Sequence, residues 1–407
     1  MSNKYPLNKK ANSIEKHAKE FESHYKGSVS TTCQFEKYLD NGIFFKDRNE
    51  LMRKGFFKSK KKFLMQYYTI PYFDNVYPHI TFKNNMNVLF IGVGTGMDIK
   101  DLFNYTQCAL NIYGLDICFA NVRICHKNKV PGTIIQAAAE NLPFPDNTFD
   151  VIISCETIEH VYNPRKMVKE IARTAKSHCQ VFIGTPNGSS LALCHIVECI
   201  YTLITGKRFI PRTITDNHYT PNEILSIIED AEKIALSKKV FDMPFYFLCG
   251  ALPERAYFII PIIKRLTNFT QYVPYFNRIF CDQAKYFFGV QKAPNKNEIH
   301  KISFAFVCPE CKGDLEFKDD SYICERCKFV YSTIDGVTQF LPGCDLDTNS
   351  EINSESKKHS KKENITKSLL LQGYNITLLI LWVLLLPFML PISFFMKRRD
   401  IYHQKND

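Results

Sequence analysis

Apolar positions in the middle of the chain fall into short blocks. Between about residues 86 and 185, the runs 87–92, 111–116, 149–154 and 180–184 alternate with helical patterns. Alternation of this kind predicts an α/β unit, a mostly parallel sheet with helices on both faces. Residues 1–80 predict a polar helical region, with a basic knot around Lys60 and an aromatic stretch from Tyr67 to Phe73. Residues 188–210 are apolar, interrupted by His195 and Glu198, and 221–300 are mixed and aromatic-rich. A short cysteine-containing unit follows at 303–343. Residues 345–367 are a Ser, Asn, Glu and Lys linker that cannot build a core. Residues 376–395 then run for twenty positions without a charge, enough at 1.5 Å per residue to cross about 30 Å of hydrocarbon. This run predicts a transmembrane helix, with Pro387 and Pro391 leaving room for a re-entrant or interfacial segment.

Length and charge narrow the picture. At 407 residues the chain is too long for one compact domain, and 45% hydrophobic with 23% charged residues excludes disorder as its main state. The net charge is +11, and residues 1–85 hold 16 Lys/Arg against 8 Asp/Glu, densest at Lys58, Lys60, Lys61 and Lys62. Such an excess favours a polyanionic neighbour, lipid or nucleic acid. A solvated helix face is the plainer reading, and nucleic acid is not expected as a partner. Of 15 cysteines, eleven are scattered without the spacing of a disulfide framework. Several, such as Cys155, Cys194 and Cys199, sit in apolar runs, which points to a reducing compartment. The first residues contain no apolar signal segment. Flanking charges nearly tie, with Lys357, Lys358, Lys361, Lys362 and Lys367 before the apolar run and Lys397, Arg398, Arg399 and Lys405 after it. Free thiols and the cofactor argued below favour a cytosolic main body on a C-terminal anchor.

Gly92-Val93-Gly94-Thr95-Gly96 follows one predicted strand and opens a helix. A sharp turn with close ligand approach requires glycine there, and amides at a helix start meet polar ligand atoms. Asp116, at the end of the next strand, is placed to accept hydrogen bonds from ribose hydroxyls. The pairing points to an adenosine-type cofactor and leaves a dinucleotide and S-adenosylmethionine both open. A dinucleotide fingerprint wants its third glycine where Met97 stands. The string Ala139-Glu140-Asn141-Leu142-Pro143-Phe144-Pro145-Asp146, running on to Phe149-Asp150, then resembles the class I S-adenosylmethionine-dependent methyltransferases. Cys155 to Val161, Gly184-Thr185-Pro186-Asn187 and His218-Tyr219-Thr220-Pro221 match later landmarks of that family, so the resemblance covers roughly 85–235. It implies a Rossmann-like methyltransferase domain over 81–300. It also implies S-adenosylmethionine held at Gly92, Gly94, Gly96, Asp116, Ile117, Ala139, Glu140 and Cys155. Two positions depart from the family, Phe90 and Ala138, where acids are usual; this favours weaker cofactor binding or, as a minority reading, a non-catalytic membrane scaffold.

Glu156, Glu159 and His160 stand at i, i+3 and i+4, which on a helical turn would put them on one face. They could hold a divalent cation such as magnesium, or His160 could act as general base. The string resembles that of the ubiquinone-pathway O-methyltransferases, which implies a cation site. The plainer reading is a pair of solvated acids, with His160 ordering its loop. Cys308-x-x-Cys311 and Cys324-x-x-Cys327 form two knuckles twelve residues apart, the spacing of a structural zinc site. With Gly313-Asp314-Leu315 and the segment 331–342, this unit resembles a zinc-ribbon family that includes the activating subunit of tRNA and release-factor methyltransferases. The expectation is therefore a membrane-tethered methyltransferase acting on a small-molecule or lipid-like acceptor, with 188–210 touching lipid or enclosing an isoprenoid tail. The ribbon is expected to be structural or to bind a protein partner. The rival enzyme reading is methylation of protein or RNA, with the ribbon as a built-in activator.

Overall fold

Three of the apolar runs form strands buried at nearly every position, because the sheet they build is covered on both faces. The computed structural model describes residues 14, 16–19, 22, 31–47, 50, 76–188, 217, 219–231, 234–244, 281–292 and 306–341. The basic knot near Lys60, the apolar stretch from 189 onward, His218, the linker at 345–367 and the apolar run at 376–395 lie outside the described residues. Among the described residues no helix is long and apolar enough to cross a membrane.

The sheet contains β1 (Asn87–Ile91), β2 (Asn111–Asp116), β3 (Thr133–Gln136), β4 (Phe149–Cys155), β5 (Ala175–Pro186), β6 (Ile234–Pro244) and β7 (Cys281–Val290). Their order is β3-β2-β1-β4-β5-β7-β6. The first five are parallel, and β7 runs antiparallel to both β5 and β6. On β1 the two-residue period separates the two cores. Leu89 and Ile91 pack on the side of α4 (Pro164–Thr174) and α5 (Pro221–Glu229), while Val88 and Phe90 pack on the side of α2 (Met97–Tyr105) and α3 (Phe119–Lys127). Local signals set the starts of α4 and α5. The Asn163 side chain accepts from the Lys166 N–H ahead of Pro164. Thr220 and Glu223 form a reciprocal capping box around Pro221.

Three strands were absent from the sequence expectation. β3 is only four residues long, too short for a period to register. β6 carries Ser237-Lys238-Lys239, and β7 carries Lys285, which is fully buried. The antiparallel insertion of β7 sets where long segments leave the sheet. Pro244 at the end of β6 pairs with Cys281 at the start of β7. Just beyond β5, the Gly188 N–H donates to the Tyr219 carbonyl at 2.9 Å.

The described parts of the basic N-terminal region pack on this unit. In α1 (Thr31–Asp40), Glu36 pairs with Arg123 and Asp40 with Lys127, both on α3. The buried Lys100 ammonium donates to the Phe45 and Asn128 carbonyls. Nearer the start, the helical residues Ile14 and Ala18 pack on Ala138 and Leu341.

The cysteine-containing unit is a second, antiparallel sheet of β8 (Leu315–Lys318), β9 (Ser321–Cys324), β10 (Val330–Ile334) and β11 (Val337–Thr338), ordered β11-β10-β9-β8. Asp319-Asp320 and Asp335-Gly336 make its tight turns with positive φ at both residues, the hand that matches strand twist. The unit is docked on the larger sheet. Lys312 Nζ lies 2.7 Å from Glu170 Oε2, and Arg173 Nη2 lies 2.8 Å from the same oxygen. These two cations outweigh burial and hold the Glu170 carboxyl below its ordinary range. Beside them Phe144 packs edge-on against Phe149 at 5.0 Å between ring centres and tilts against Phe306 at 5.8 Å.

Phe144 is thus shared by the two sheets and fully buried. Phe144→Ala should lower the unfolding free energy by about 3–5 kcal/mol, read from urea unfolding of the full chain. A loss below about 1 kcal/mol would mean that the two units do not share this core.

Candidate functional site

A cleft opens at the carboxyl ends of β1, β2 and β4, where the strand order reverses direction from β1. Open α/β sheets place ligands at such a switch point. The floor is Gly92 and Gly94 after β1, Asp116 and Ile117 after β2, and Ala139 and Glu140 beyond β3. Glu156, Thr157 and His160 after β4 form the far side, and His17 reaches in from the N-terminal helical residues.

The three glycines of the turn differ in purpose. All have positive φ, but a Cβ on Gly92 would stand 2.1 Å from Thr157 Oγ1, and one on Gly96 would stand 2.5 Å from Val130 Cγ2. Those two permit close packing, and Gly96 does not line the cleft. Gly94 faces open space, with nothing within 4 Å of its would-be Cβ. Its N–H donates to Asp116 Oδ2 at 2.8 Å, while Asp116 Oδ1 accepts from the Cys118 N–H at 2.8 Å. Burial raises the Asp116 carboxyl from its ordinary 3.8 to about 6, against the pull of those two N–H bonds and the Asn121 side chain. The same burial, with the Asp116 charge beside it, pushes the Cys118 thiol up to about 12, so this cysteine is an inert thiol.

The β4 side departs from the sequence expectation. Residues 156–160 form a bend and turn, not a helix, and Glu156 takes φ +48°. Glu156 and His160 line the cleft, but Glu159 is buried, accepting from Thr185 Oγ1 at 3.1 Å. Glu159 Oε1 lies 3.9 Å from His160 Nε2. Of the three residues expected to hold a cation, Glu156 and His160 thus line the cleft while Glu159 lies buried beside His160. Among the described residues, the one group of three or more such donors gathered closely enough for a metal is the four cysteines. Cys155 packs in the core on the α2/α3 side and does not line the cleft.

The four Sγ atoms of Cys308, Cys311, Cys324 and Cys327 all lie within 4.8 Å of one another, with Cys308–Cys327 and Cys311–Cys324 at 3.4 Å. Zn–S bonds of about 2.3 Å give a tetrahedral edge of about 3.8 Å, so the set fits zinc. The two knuckles are built alike. Lys312 N–H returns to the Cys308 carbonyl and Lys328 N–H to the Cys324 carbonyl, each lysine with φ near +60°. The Tyr331 hydroxyl sits 3.3 Å from Cys308 Sγ, a supporting hydrogen bond to a ligand atom.

Comparison with known proteins adds to this geometry. Residues 89–183 match the family described as "Methyltransferase domain". Over that segment the chain is similar to methyltransferase domains. Two uncharacterized proteins of Methanocaldococcus jannaschii are similar to the chain. One is 29% identical over 150 residues, covering 37% of this chain and 60% of that one, and the other 32% over 166 residues, covering 41% and 64%. A ubiquinone biosynthesis O-methyltransferase of Sodalis glossinidius is 26% identical over 152 residues, covering 35% of this chain and 58% of that one. The chain thus spans roughly three-fifths of the length of each. The matched segment runs from β1 into β5 and includes every cleft residue named above except His17.

His17 had no signal in the sequence, since its Nε2 donates at 2.9 Å to the carbonyl of a residue 143 positions away, His160. Thr157 lay inside the 155–161 landmark, and its hydroxyl ties the turn to the Ile91 and Cys155 carbonyls.

Substitution of the first two glycines of the turn should differ in its cost to stability. Gly94→Ala bears only the left-handed backbone cost of about 1–2 kcal/mol, whereas Gly92→Ala should lose more because its methyl meets Thr157. Urea unfolding of both variants checks this, and equal losses would show that Thr157 is not packed on the turn.

Proposed function

We propose that this protein is an S-adenosylmethionine-dependent methyltransferase held at a membrane by residues 376–395, acting on a small-molecule or lipid-like acceptor from the cytosolic side. The observation that carries the cofactor assignment is Asp116. It is a buried carboxylate at the end of β2, tied to the one glycine of the turn that faces open space. A carboxylate oxygen accepts more than one donor, so Asp116 can take two ribose hydroxyls while keeping its backbone bonds. Ile117 and Ala139 supply apolar surface on the adenine side, and Glu140 is held in place by the Asn163 N–H at 3.1 Å.

The two departures from the family pattern do not open gaps in the cleft. Phe90 packs in the core on the α2/α3 side, and Ala138 is covered by Ile14, Ala18 and Leu341. Both fit an enzyme better than a non-catalytic scaffold. When bound, the cofactor supplies a sulfonium methyl, a good leaving group, so alignment of the acceptor contributes most of the rate. For an acceptor hydroxyl, His160, after β4, is a cleft residue able to take the proton at an imidazole nitrogen. Glu159, 3.9 Å from its Nε2, would then stabilise the imidazolium. The small-molecule reading draws on the relative named for ubiquinone biosynthesis, and the lipid reading on the apolar run at 376–395.

Calorimetric titration of the full chain with S-adenosylmethionine tests the cofactor. Binding in the micromolar range is expected, weakened at least tenfold by Asp116→Ala. Affinity should fall as pH drops through about 6, where Asp116 takes up its proton. Stability of the unliganded protein should move the other way. The raised carboxyl binds its proton more tightly folded than unfolded, so stability is gained as pH falls from about 6 toward 3.8. No binding by well-folded protein would sink the enzyme reading. With labelled cofactor and membrane extracts, label in the organic phase supports a lipid acceptor, and label in protein or RNA supports the rival.

A further inference from the structure

The turn after β4 carries His160 into the cleft, and much of its geometry is set from outside. Residues 156–160 belong to no strand or helix, and Glu156 holds φ +48°. One local bond closes the turn, from the His160 N–H to the Thr157 carbonyl at 2.9 Å. Thr157 Oγ1 pins its base to the Ile91 and Cys155 carbonyls. The two peptide units that flank the His160 Cα are tied to distant parts of the chain. The Glu159 carbonyl accepts from the Asn217 N–H at 2.9 Å, and the His160 carbonyl accepts from His17 Nε2 at 2.9 Å. Peptide units are rigid planes, so fixing both fixes the direction in which the His160 side chain leaves the backbone.

His17 is well placed to keep that bond. A carbonyl only accepts, so Nε2 carries the proton here. The ring is buried, at 6% exposure, and its centre lies 6.2 Å from that of the Tyr162 ring. Its backbone is anchored by its neighbours. Ile14, His17, Ala18 and Glu22 are buried while Lys16 and Lys19 are exposed, the spacing of one inward helix face. Ile14 and Ala18 pack on Ala138 beside Ile117, and Glu22 is near enough for its charge to act on Cys118. These helical residues thus reach from the end of β2, past the wall beyond β3, to the turn after β4. Of these, His17 lines the cleft.

We propose that His17 is a positioning residue for methyl transfer: its Nε2–H, carried on the N-terminal helical residues, holds the His160 peptide so that the His160 imidazole keeps its place in the cleft. This rests on the reading of His160 given above and adds that a segment more than 60 residues ahead of β1 completes the site. Without the donor the His160 carbonyl is left to water, the peptide after His160 gains freedom to turn, and the ring loses its fixed direction.

The test uses the full chain with His17→Ala, and with His17→Gln, whose amide nitrogen offers a donor at similar reach. Amide hydrogen exchange at 156–161 is read beside transfer of labelled methyl from saturating S-adenosylmethionine to membrane extracts. In His17→Ala, exchange at 156–161 should quicken by about tenfold, the scale of one buried hydrogen bond lost, with β1 and β4 protected as before. Methyl transfer should fall by a similar factor, and further than calorimetric affinity for the cofactor does, whereas a general loosening of the cleft would lower both alike. His17→Gln should restore most of the protection and of the transfer. Unchanged exchange or unchanged transfer in His17→Ala overturns the proposal and leaves the cofactor reading standing. So does a glutamine variant that behaves as the alanine one. If His17→Ala unfolds the sheet, His17→Phe, which keeps a ring beside Tyr162 and lacks the donor, is set against His17→Gln. Faster exchange and weaker transfer in the phenylalanine variant then support the tie, and equal values overturn it. If unaltered protein binds no cofactor, or binds it and labels no fraction, the enzyme reading fails, and the proposal with it.

Discussion

One buried carboxylate organises the business edge of this molecule. Asp116 accepts the Gly94 N–H with one oxygen and the Cys118 N–H with the other, so it joins the turn after β1 to the start of α3. Backbone amides at a helix start and in a left-handed turn are otherwise orphan donors, and burying them unpaired would be costly. The arrangement has an opposing cost in keeping a charge out of water, visible as the raised carboxyl. A ligand that brings hydroxyl donors to that charge relieves part of the cost. The cleft is therefore poised to accept a polar ligand at this position.

How much of this could be read from the chain depended on the length scale of each signal. β1, β2 and β4 announced themselves because both faces are covered, which makes most of their residues apolar. β3 had too few residues, and the lysines of β6 and β7 broke the apolar pattern. Gly92, Gly94, Asp116, Ala139 and Glu140 were legible because a turn, a strand end and a short string carry their chemistry locally. The Glu156–His160 spacing suits both a helix and a tight turn, and only the φ of +48° at Glu156 separates them. Contacts such as Lys312 to Glu170, 142 residues apart, leave no local trace.

The docking of the cysteine unit illustrates how a buried ion group can set register. Glu170 Oε2 accepts from Lys312 and Arg173, and from the Leu142 N–H at 2.8 Å, while Arg173 also reaches the Leu142 carbonyl at 3.1 Å. Ionic groups of this kind contribute modest net stability but penalise every misaligned arrangement, because a slipped partner leaves a charge unpaired. The aromatic rings beside them supply the less directional share of the adhesion.

The antiparallel strand β7 has a consequence for how this fold can diversify. Residues 189–216 are bracketed by the Gly188–Tyr219 hydrogen bond, and residues 245–280 by the Pro244–Cys281 pair. Both pairs lie at the edge of the sheet that carries the cleft. Each segment thus begins and ends at points already joined, so lengthening it adds only a slowly growing closure entropy. Such segments are exchangeable cassettes. The length of chain between such joined points can change while the strands beneath keep every hydrogen bond.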